Sequence, residues 1–540
     1  MHSPSYSFPV LSAQRAKAFE ASVVSSMEEE WLFMQRAGRG IAQQVISDYQ
    51  ELRPLPESLR ILVIAGKGHN GGDAMLACNQ LLGDLPRASV TLLTTCTSES
   101  MKPLAKRAYE DLKGRVLEYL ISEDATIESI AAILNQCNAS RGFDICLDGL
   151  LGIGFESPIR GSLKNLIEAT NEYTEIGLRA SVDMPSGLTG SSESISFCAD
   201  FTYATGIVKA LHVSGMSNLG RVHLIDLGFF DTSAKSEEKV AVEHAKAAKL
   251  IQSAEFFLSD RVLDPVRRLR PANVDKRTFG HLFIIGGSAY MPGALLMAVQ
   301  AAVRSGAGLV TAFAPASIAS SLAARVPEAM WIPWPESSNG TLDPRANGLL
   351  MERIGRATAL LIGPGMGSDR NTEMIAQEVI KRVDLPIVCD ADALNNRALE
   401  LVLKRSTRSG PVVLTPHMGE FMRIAKLDRE EVFTESLLHY SQSNKVITVL
   451  KGPITQICDG HKVWYNSFGG PVLSRGGSGD MLAGLIGGFI AQNNNEVTES
   501  VLQAVVLHGQ AAEYLAREQG QVTVQTTQVL NFLSIVLRGG

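Results

Sequence analysis

The stretch GGSGDMLAG (Gly476–Gly484) joins a glycine-rich loop to the start of an apolar helix. Successive glycines let backbone N–H groups converge at a helix N-terminus, where the helix dipole also favours an anion. Asp480 directly follows these glycines, and a carboxylate there can accept a proton from an attacking hydroxyl. Because phosphoryl transfer depends mainly on positioning and charge stabilisation, the stretch predicts a phosphoryl-transfer centre. The simpler alternative is a helix N-terminus with Asp480 as an early-turn acid.

Other loops of the C-terminal half also follow short apolar segments. Alternation of such segments with helical patterns predicts an α/β domain. No GxxxxGK[ST] sequence is present, which argues against a P-loop kinase. The predicted strands are His281–Gly287, Leu309–Ala314, Ala359–Ile362, Ile387–Cys389, Val412–Leu414 and Val446–Leu450. The loops are GGSAYMPGA (Gly286–Ala294), GPGMG (Gly363–Gly367), DADAL (Asp390–Leu394), TPHMGE (Thr415–Glu420) and KGPIT (Lys451–Thr455).

The N-terminal half shows the same alternation. Its apolar segments are dense in Val, Ile, Leu and Phe, as strands buried on both faces should be, so a parallel sheet with helices on both faces is predicted. The predicted helices include Leu104–Gly114 and Ile127–Cys137. The predicted strands are Arg60–Ala65, Val90–Thr94, Phe143–Leu147, Arg179–Asp183, Phe201–Thr205 and Val222–Ile225.

The loop GKGHNG (Gly66–Gly71) has the GxGxxG spacing of dinucleotide-binding turns. An NAD dehydrogenase would also have an acid at the end of the second strand, where this chain has Thr94–Cys96. A tight turn without a ligand is the other alternative. However, HNGGD (His69–Asp73), Asp148 and Asp183 all stand at predicted strand ends, where parallel sheets place ligands. Together they predict a binding site, although each alone fits turn chemistry.

Length and composition bound the remaining possibilities. A chain of 540 residues exceeds one core, so two large domains are expected. We predict domains at 1–230 and 260–540, joined by a helical connector at 231–259. A net charge of −6 without basic blocks argues against nucleic acid. Seven scattered cysteines and no long apolar run indicate a cytoplasmic protein without a disulfide framework, a zinc site or a membrane span.

Four N-terminal segments occur in the order seen in a known family. LFMQRAGRGIA (Leu32–Ala42), GKGHNGGD, DGLLGIGFESPIRG and VDMPSG make residues 10–228 resemble the epimerase domain of the NAD(P)H-hydrate repair family. The resemblance implies a Rossmann-like three-layer parallel sheet. It implies a catalytic Asp183 and a potassium site at Asn70, Asp148 and Ser186. The implied substrate-binding residues are His69, Asn70, Gly71, Gly72, Asp73, Gly152, Ile153, Gly154, Phe155, Glu156, Ser157, Pro158 and Asp183. The family usually has Asn where this chain has His69, from which we expect altered packing or ligand contact.

The C-terminal loops, taken together, resemble the NAD(P)H-hydrate dehydratase of the ribokinase-like superfamily over residues 255–540. The resemblance implies a ribokinase-like α/β domain with Asp480 as the catalytic base. The implied substrate-binding residues are Ala294, Gly365, His417 and Asp480. The implied nucleotide-binding residues are Lys451, Gly452, Pro453, Ile454, Thr455 and Gly479. The family's common TPHPGE reads TPHMGE here, with Met418 replacing proline but His417 and Glu420 kept.

The two resemblances imply a bifunctional repair enzyme for hydrated NADH and NADPH (NADHX and NADPHX). One domain would interconvert the R and S hydrates at C6, with K⁺. The other would dehydrate the S hydrate with ADP and Mg²⁺, releasing AMP and phosphate. A homo-oligomer is expected. The alternatives are a ribokinase-like small-molecule kinase, and an N-terminal half that only binds nucleotide.

Overall fold

The computed structural model describes residues 6–138, 141–152, 154–155, 158–190, 194–230, 250–406 and 408–539. The chain forms two compact units that divide between Ser253 and Ala254. One unit is built mainly from Phe8–Ser253 and the other mainly from Ala254–Leu515. Three predicted site residues, Ile153, Glu156 and Ser157, lie outside the described residues, as does most of the predicted connector, 231–249.

The N-terminal unit contains a seven-stranded sheet, counted over the described residues, in which every neighbouring pair is parallel. The strand order is β4-β3-β2-β5-β6-β7-β8. A short strand, β1 (Ser7–Pro9), precedes it in the chain. The bounds are β2 (Arg60–Ala65), β3 (Ser89–Thr94), β4 (Leu117–Leu120), β5 (Phe143–Gly149), β6 (Ile176–Val182), β7 (Phe201–Thr205) and β8 (Arg221–Ile225).

Helices connect these strands and cover the sheet. Helix α2 illustrates why these segments are helical. Ser26 caps it by accepting a hydrogen bond from the N–H of Glu29, and acidic residues occupy its first turn. The helix also buries an apolar stripe that includes Trp31 and Ile41. The bounds are α1 (Ala13–Val23), α2 (Met27–Tyr49), α3 (His69–Asp84), α4 (Pro103–Leu112), α5 (Ile127–Asn138) and α6 (Gly161–Glu172). Two apolar clusters are buried, one containing α2, α3 and α4 residues and one containing α5 and α6 residues.

The strands of the C-terminal unit lie in the order β9-β18-β17-β16-β15-β14-β13-β10-β11-β12. The pairs from β12 to β16 are parallel, and β17 joins β16 and β18 through antiparallel pairs. The bounds are β9 (Glu255–Leu258), β10 (His281–Ile285), β11 (Leu309–Pro315), β12 (Met330–Trp334), β13 (Ala359–Ile362), β14 (Ile387–Cys389), β15 (Val412–Leu414), β16 (Val446–Leu450), β17 (Thr455–Cys458) and β18 (Val463–Asn466).

Helices Pro292–Arg304 and Ser478–Gln492 pack closely because Gly484 has no side chain between them. A Cβ at Gly484 would collide with the Ala298 carbonyl oxygen. The helices of this half are Pro292–Arg304, Ala316–Ala323, Gly348–Met351, Arg370–Arg382, Asn396–Leu399, Met418–Ala425, Thr434–Asn444, Ser478–Gln492, Val497–Gln519 and Leu533–Leu537. No helix within the described ranges is both long enough and apolar enough to cross a bilayer.

The α/β class with parallel sheets agrees with the sequence prediction, although individual elements differ. The helical connector is wrong for Glu255–Leu258, which form strand β9 because they pair in parallel with β18. Asp148 lies inside β5 rather than after it, since the strand continues to Gly149. The carboxyl ends of the parallel strands carry the predicted polar loops, as the alternation of strands and helices requires.

Candidate active sites

A cavity of about 1350 Å³ lies at the carboxyl ends of the N-terminal strands. This volume exceeds the range of roughly 300–1,000 Å³ that is usual for small-molecule pockets, as a dinucleotide would need. Helices α1 and α2 and the ends of β2, β5 and β6 all contribute to its wall. The predicted site residues on the wall are His69, Asn70, Asp73, Gly152, Gly154, Phe155 and Asp183.

The three predicted potassium ligands are in one hydrogen-bonded cluster. Asp148 is fully buried and accepts from Ser186 Oγ at 2.5 Å and from the Ser186 N–H at 2.7 Å. Ser186 Oγ in turn accepts from the Leu151 N–H at 2.8 Å. The Asn70 amide donates to the carbonyls of Leu151 and Val182 at 3.1 and 3.0 Å. The amide oxygen of Asn70 is turned toward Gly152.

This donor set suits a hard monovalent cation. Burial raises the pKa of Asp148 to about 6, although its hydrogen bonds to Ser186 and Leu150 lower it in part. No Lys, Arg or His of the described residues forms an ion pair with Asp148, so a bound cation would compensate a buried charge. Carboxylate, amide and hydroxyl oxygens are suitable ligands. Within the described ranges no cluster of three or more His, Cys, Asp or Glu side chains could hold a metal ion.

Asp183 follows β6 in the left-handed backbone region, with φ of 61°, an uncommon conformation for a residue other than glycine. Its carboxylate is ion-paired with Lys209 and accepts from Thr205 Oγ1 at 3.1 Å. His212 Nδ1 accepts from the Lys209 N–H, so its Nε2 carries the proton and donates to the Asp183 carbonyl. Burial alone would raise the pKa of Asp183, but Lys209 and His212 outweigh it and the pKa is lowered.

Asp73, in the first turns of α3, has the opposite environment. It is 7% exposed, and its Oδ1 has no hydrogen-bond partner among the described residues. Burial raises its pKa well above the usual value, and the charges of Asp183, Glu20 and Glu30 raise it further. The pKa values of Asp73 and Asp183 are therefore shifted in opposite directions in the same cavity.

The other predicted residues of this loop have mixed placements. His69 Nδ1 lies 3.4 Å from Glu30 Oε1, and burial lowers the pKa of its imidazole. Gly71 and Gly72 are buried and do not line the cavity; side chains there would collide with the Gly66 carbonyl and crowd Met34. Pro158 is exposed and is not on the cavity wall.

In the C-terminal unit, Asp480 is the third residue of helix Ser478–Gln492. Gly477 caps that helix with φ of 89°, and a Cβ there would collide with Met297 Sδ. Burial raises the pKa of Asp480 to about 7, Asp390 raises it as well, and Lys451 opposes them. A carboxylate with this pKa is suited to accept a proton near neutral pH.

Lys451 joins three loops at this helix terminus. Its Nζ donates to Asp390 Oδ1 at 3.0 Å, and a Cβ at Gly479 would lie 3.1 Å from Nζ. Its N–H donates to the Pro416 carbonyl at 2.9 Å, and it forms a parallel bridge with His417. Burial alone would lower the pKa of Lys451, but the carboxylates of Asp390 and its neighbours outweigh it and raise the pKa.

The remaining residues predicted to bind the nucleotide or the hydrate differ in solvent exposure. The imidazole of His417 is largely exposed, and its Nδ1 accepts from the Glu420 N–H at 3.3 Å. Gly452, Pro453 and Ile454 lie in the turn between β16 and β17, and Thr455 is the first residue of β17. Gly452 and Pro453 are exposed, whereas Ile454 is partly buried.

The loop Gly363–Gly367 touches two other loops of this site. A Cβ at Gly365 would lie 2.6 Å from the Met291 carbonyl oxygen and 3.0 Å from Ala294 Cβ, so Gly365 and Ala294 are neighbours. The Gly367 N–H donates to Asp392 Oδ2 at 2.8 Å. The carboxyl ends of β10, β13, β14, β15 and β16 thus supply one group of loops around Asp480 and Lys451.

Two families match this chain in sequence. The family described as NAD(P)H-hydrate dehydratase matches residues 282–534, and the YjeF-related protein N-terminus matches residues 31–211. The chain is 31% identical over 525 residues to the bifunctional NAD(P)H-hydrate repair enzyme Nnr of Moorella thermoacetica, covering 94% of this chain and 92% of that protein. The bifunctional NAD(P)H-hydrate repair enzyme Nnr of Gloeobacter violaceus is also 31% identical, over 94% of this chain and 93% of its own length.

This chain belongs to the family of bifunctional NAD(P)H-hydrate repair enzymes. A solved ribokinase-like superfamily protein from Enterococcus faecalis is 29% identical over 53% of this chain and 96% of its own, with a TM-score of 0.47. The residue assignments for the two sites remain predictions for this member of the repair family.

Sequence reasoning missed several side chains that this repair enzyme places at its two sites. Lys209 follows β7 in TGIVKAL and gave no motif, and Glu20 and Glu30 belong to amphipathic helices where acids are common. Asp390 and Asp392 lie in the predicted loop DADAL, for which the sequence indicated no individual role. Only strand order predicts that the loop after β7 lies beside the loop after β6, which would have pointed to Lys209.

Proposed function

We propose that this chain repairs hydrated NADH and NADPH by epimerising their C6 hydrates and dehydrating the S hydrate with ADP. Family membership supports both activities. The observation that carries the dehydratase assignment is the environment of Asp480, a half-buried carboxyl at a glycine-capped helix N-terminus beside Lys451. The cavity that contains Asp73 and Asp183 supports the epimerase assignment.

In the proposed dehydration, Asp480 accepts the proton of the C6 hydroxyl as that oxygen attacks the β-phosphorus of ADP. The N–H groups of Gly477–Gly479 point along the helix axis and stabilise the transferring phosphoryl group, and AMP leaves. Phosphate is then expelled from C6 while C5 loses a proton, which restores the C5–C6 double bond. The balance is hydrate plus ADP giving NAD(P)H, AMP and phosphate.

The side chains around Asp480 can hold the nucleotide and its counter-ion. Lys451 is placed to contact phosphate oxygens, and its pairing with Asp390 fixes its position. Mg²⁺ bound with ADP would neutralise phosphate charge, and such ions need only one or two protein carboxylates because substrate phosphates supply other ligands. Asp392 and Glu420, on the segments that follow β14 and β15, carry the carboxylates that would hold it.

In the epimerase cavity, K⁺ would be held by Asn70, Asp148 and Ser186. The ion would balance the buried carboxylate of Asp148 and fix the loop Leu150–Gly152. His69, Asn70 and Asp73 would contact the nucleotide hydrate from the start of α3, and Asp183 would face the reacting ring. The three glycines at 71, 72 and 152 permit the close approach of these segments.

The setting of the protein follows from composition and the family resemblance. We propose a cytoplasmic homo-oligomer that acts on NADHX, NADPHX and ADP and has neither nucleic acid nor membrane as a partner. All seven cysteines are among the described residues and all are free, which suits a reducing compartment. The net charge of −6 argues against a polyanion partner.

The decisive experiment supplies the full chain with a mixture of R and S hydrates and with ADP or ATP. We expect ADP-dependent recovery of the near-ultraviolet absorbance of the reduced nicotinamide ring, continuing until both epimers are consumed. If hydrates persist with either nucleotide while a sugar or vitamin precursor is phosphorylated, a ribokinase-like small-molecule kinase is correct instead. If the absorbance stops rising once the S hydrate is consumed and the R hydrate remains, the chain has no epimerase activity.

A further inference from the structure

A carboxyl on the wall of the epimerase cavity has one oxygen without a hydrogen-bond partner among the described residues. Asp73 lines the cavity, is 7% exposed, and its Oδ1 has no hydrogen-bond partner among the described residues. A buried polar atom without a partner costs stability, so a native structure that keeps one needs a reason. A hydroxyl group of a substrate in the cavity would supply the missing partner.

A second carboxyl in the same cavity, that of Asp183, has an ion-pair partner and hydrogen-bond partners. Asp183 is 5% exposed, pairs with Lys209 (3% exposed) and accepts from both the N–H and the hydroxyl of Thr205. Lys209 lowers the pKa of Asp183, whereas burial and the charge of Asp183 raise the pKa of Asp73 well above its usual value. Two titratable groups whose environments drive them apart are the usual arrangement of an acid and a base.

Resting on the epimerase function proposed above, we propose that Asp73 donates a proton to the departing C6 hydroxyl while Asp183, held by Lys209, accepts a proton from the incoming water. Asp73 and Asp183 are then catalytic residues, and Lys209 is a positioning residue. None of these roles follows from a binding function alone.

The step balances in atoms and charge. The C6–O bond breaks as Asp73 protonates the leaving oxygen, and the N1 lone pair forms an N1=C6 iminium. A different water attacks C6 from the opposite face and transfers one proton to Asp183, so the C6–O bond forms again with inverted configuration. Asp73 ends as a carboxylate and Asp183 as an acid, and proton exchange with solvent restores both.

The charges around the cavity favour a cationic ring. Three acidic residues act electrostatically on Asp73: Asp183 after β6, Glu20 on α1 and Glu30 on α2. Lys209, after β7, is the cation that opposes them, and it is neutralised by direct pairing with Asp183. An excess of carboxyl groups stabilises a developing iminium and disfavours neutral ring opening.

The test measures conversion of pure R hydrate to S by the full chain without ADP, in water enriched in ¹⁸O. The wild type should accelerate conversion, and each S product should carry a solvent oxygen beyond the enzyme-free control. Unlabelled S product formed at the accelerated rate would overturn the C–O cleavage and the roles assigned to Asp73 and Asp183. No acceleration by the wild type would instead overturn the proposed function, so the two failures are distinguishable.

Variants separate catalysis from binding. Asp73→Asn should reduce the rate by about 100-fold or more, as loss of a general acid does. Glu123→Gln is a matched control, because Glu123 also lines the cavity and has no assigned role. Thermal unfolding of the same variants reports on folding. If Asp73→Asn keeps the wild-type epimerisation rate, the proposal is wrong.

The pH profile tests the positioning role of Lys209. The wild-type rate should fall at low pH as Asp183 gains a proton and at high pH as Asp73 loses one. Lys209→Met should move the acidic limb to higher pH, because Lys209 lowers the pKa of Asp183. Lys209→Arg should restore its position in large part. An acidic limb that does not move in Lys209→Met would contradict the positioning role.

Discussion

The Nζ of Lys451 lies 3.0 Å from Asp390 Oδ1, and both charges act on Asp480. Asp390 is nearly fully buried and also accepts from Thr415 Oγ1 at 2.6 Å, so the ammonium is fixed from the side of β14 and β15. Lys451 thereby faces the glycine-capped helix end with one defined position. This arrangement ties the proposed nucleotide contact and the pKa of Asp480 to the same side chain.

Replacing the proposed base should abolish dehydration selectively. We expect Asp480→Asn to lower the ADP-dependent rate on S hydrate by at least about 100-fold, because the amide cannot accept the hydroxyl proton. Recovery of the reduced nicotinamide absorbance measures this rate. Epimerisation of R hydrate by the same variant should be unchanged. A variant that dehydrates at the wild-type rate would show that Asp480 is not the base.

The dehydratase rate should depend on pH through Asp480. Because its carboxylate form is the active one and its pKa is raised to about 7, kcat/KM for the S hydrate should rise with pH up to that region and then level off. Lys451→Met should shift the rise to higher pH, since Lys451 lowers this pKa, and should raise the KM for ADP. Lys404→Met, an exposed lysine of the same unit, is the control. An unshifted limb would contradict the electrostatic link.

Asp480 should also affect stability in a pH-dependent way. Its folded pKa is raised from 3.8 to about 7, so the unfolded state ionises first and the free energy of unfolding falls as pH rises across that window. Asp480→Asn has no such loss. The melting temperature of the variant, relative to wild type without ligand, should therefore increase through the window and stay constant above it. A pH-independent difference would rule out the raised pKa.

Helix packing should be sensitive at Gly484. Gly484→Ala places a Cβ against the Ala298 carbonyl oxygen, and we expect a loss of about 1–3 kcal/mol in the free energy of unfolding. Gly293→Ala is the control: its Cβ would meet nothing within 4 Å, and alanine is the better helix former. Urea titration of both variants measures the difference. Equal stability of the two would show that the helices move apart at little cost.

Potassium should stabilise the protein through Asp148. The pKa of Asp148 is raised to about 6, and cation binding needs its carboxylate, so K⁺ should raise the melting temperature above that pH and lose its effect below it. Asn70→Ala should weaken the stabilisation, whereas Asn79→Ala, at the surface of the same helix, should not. Stabilisation that is the same with Na⁺ or Li⁺ would argue against a selective site.

Much of the architecture follows from local sequence. The buried strands β2, β13, β15 and β16 coincide with their apolar segments, because strands covered on both faces need continuous runs of Val, Ile and Leu. Strand β4 was missed because three of its four residues are exposed and the segment LEYL has no such run. Strands β17 and β18 were missed as well, since they are short and form antiparallel hairpins that interrupt the alternation of parallel strands and helices.

The candidate sites divide in the same way. Motifs with glycine and acidic residues at strand ends located Asp183 and Asp480, because backbone N–H convergence and positive φ demand particular residue types in the sequence itself. Lys209 and Glu20 carry no such local requirement. They come to Asp183 and Asp73 only through strand order and helix packing, and burial and neighbouring charges then shift the two pKa values in opposite directions. The sequence determined the chemistry that is available, and the tertiary structure decided the direction of each pKa shift, because desolvation and charge proximity act across distant segments.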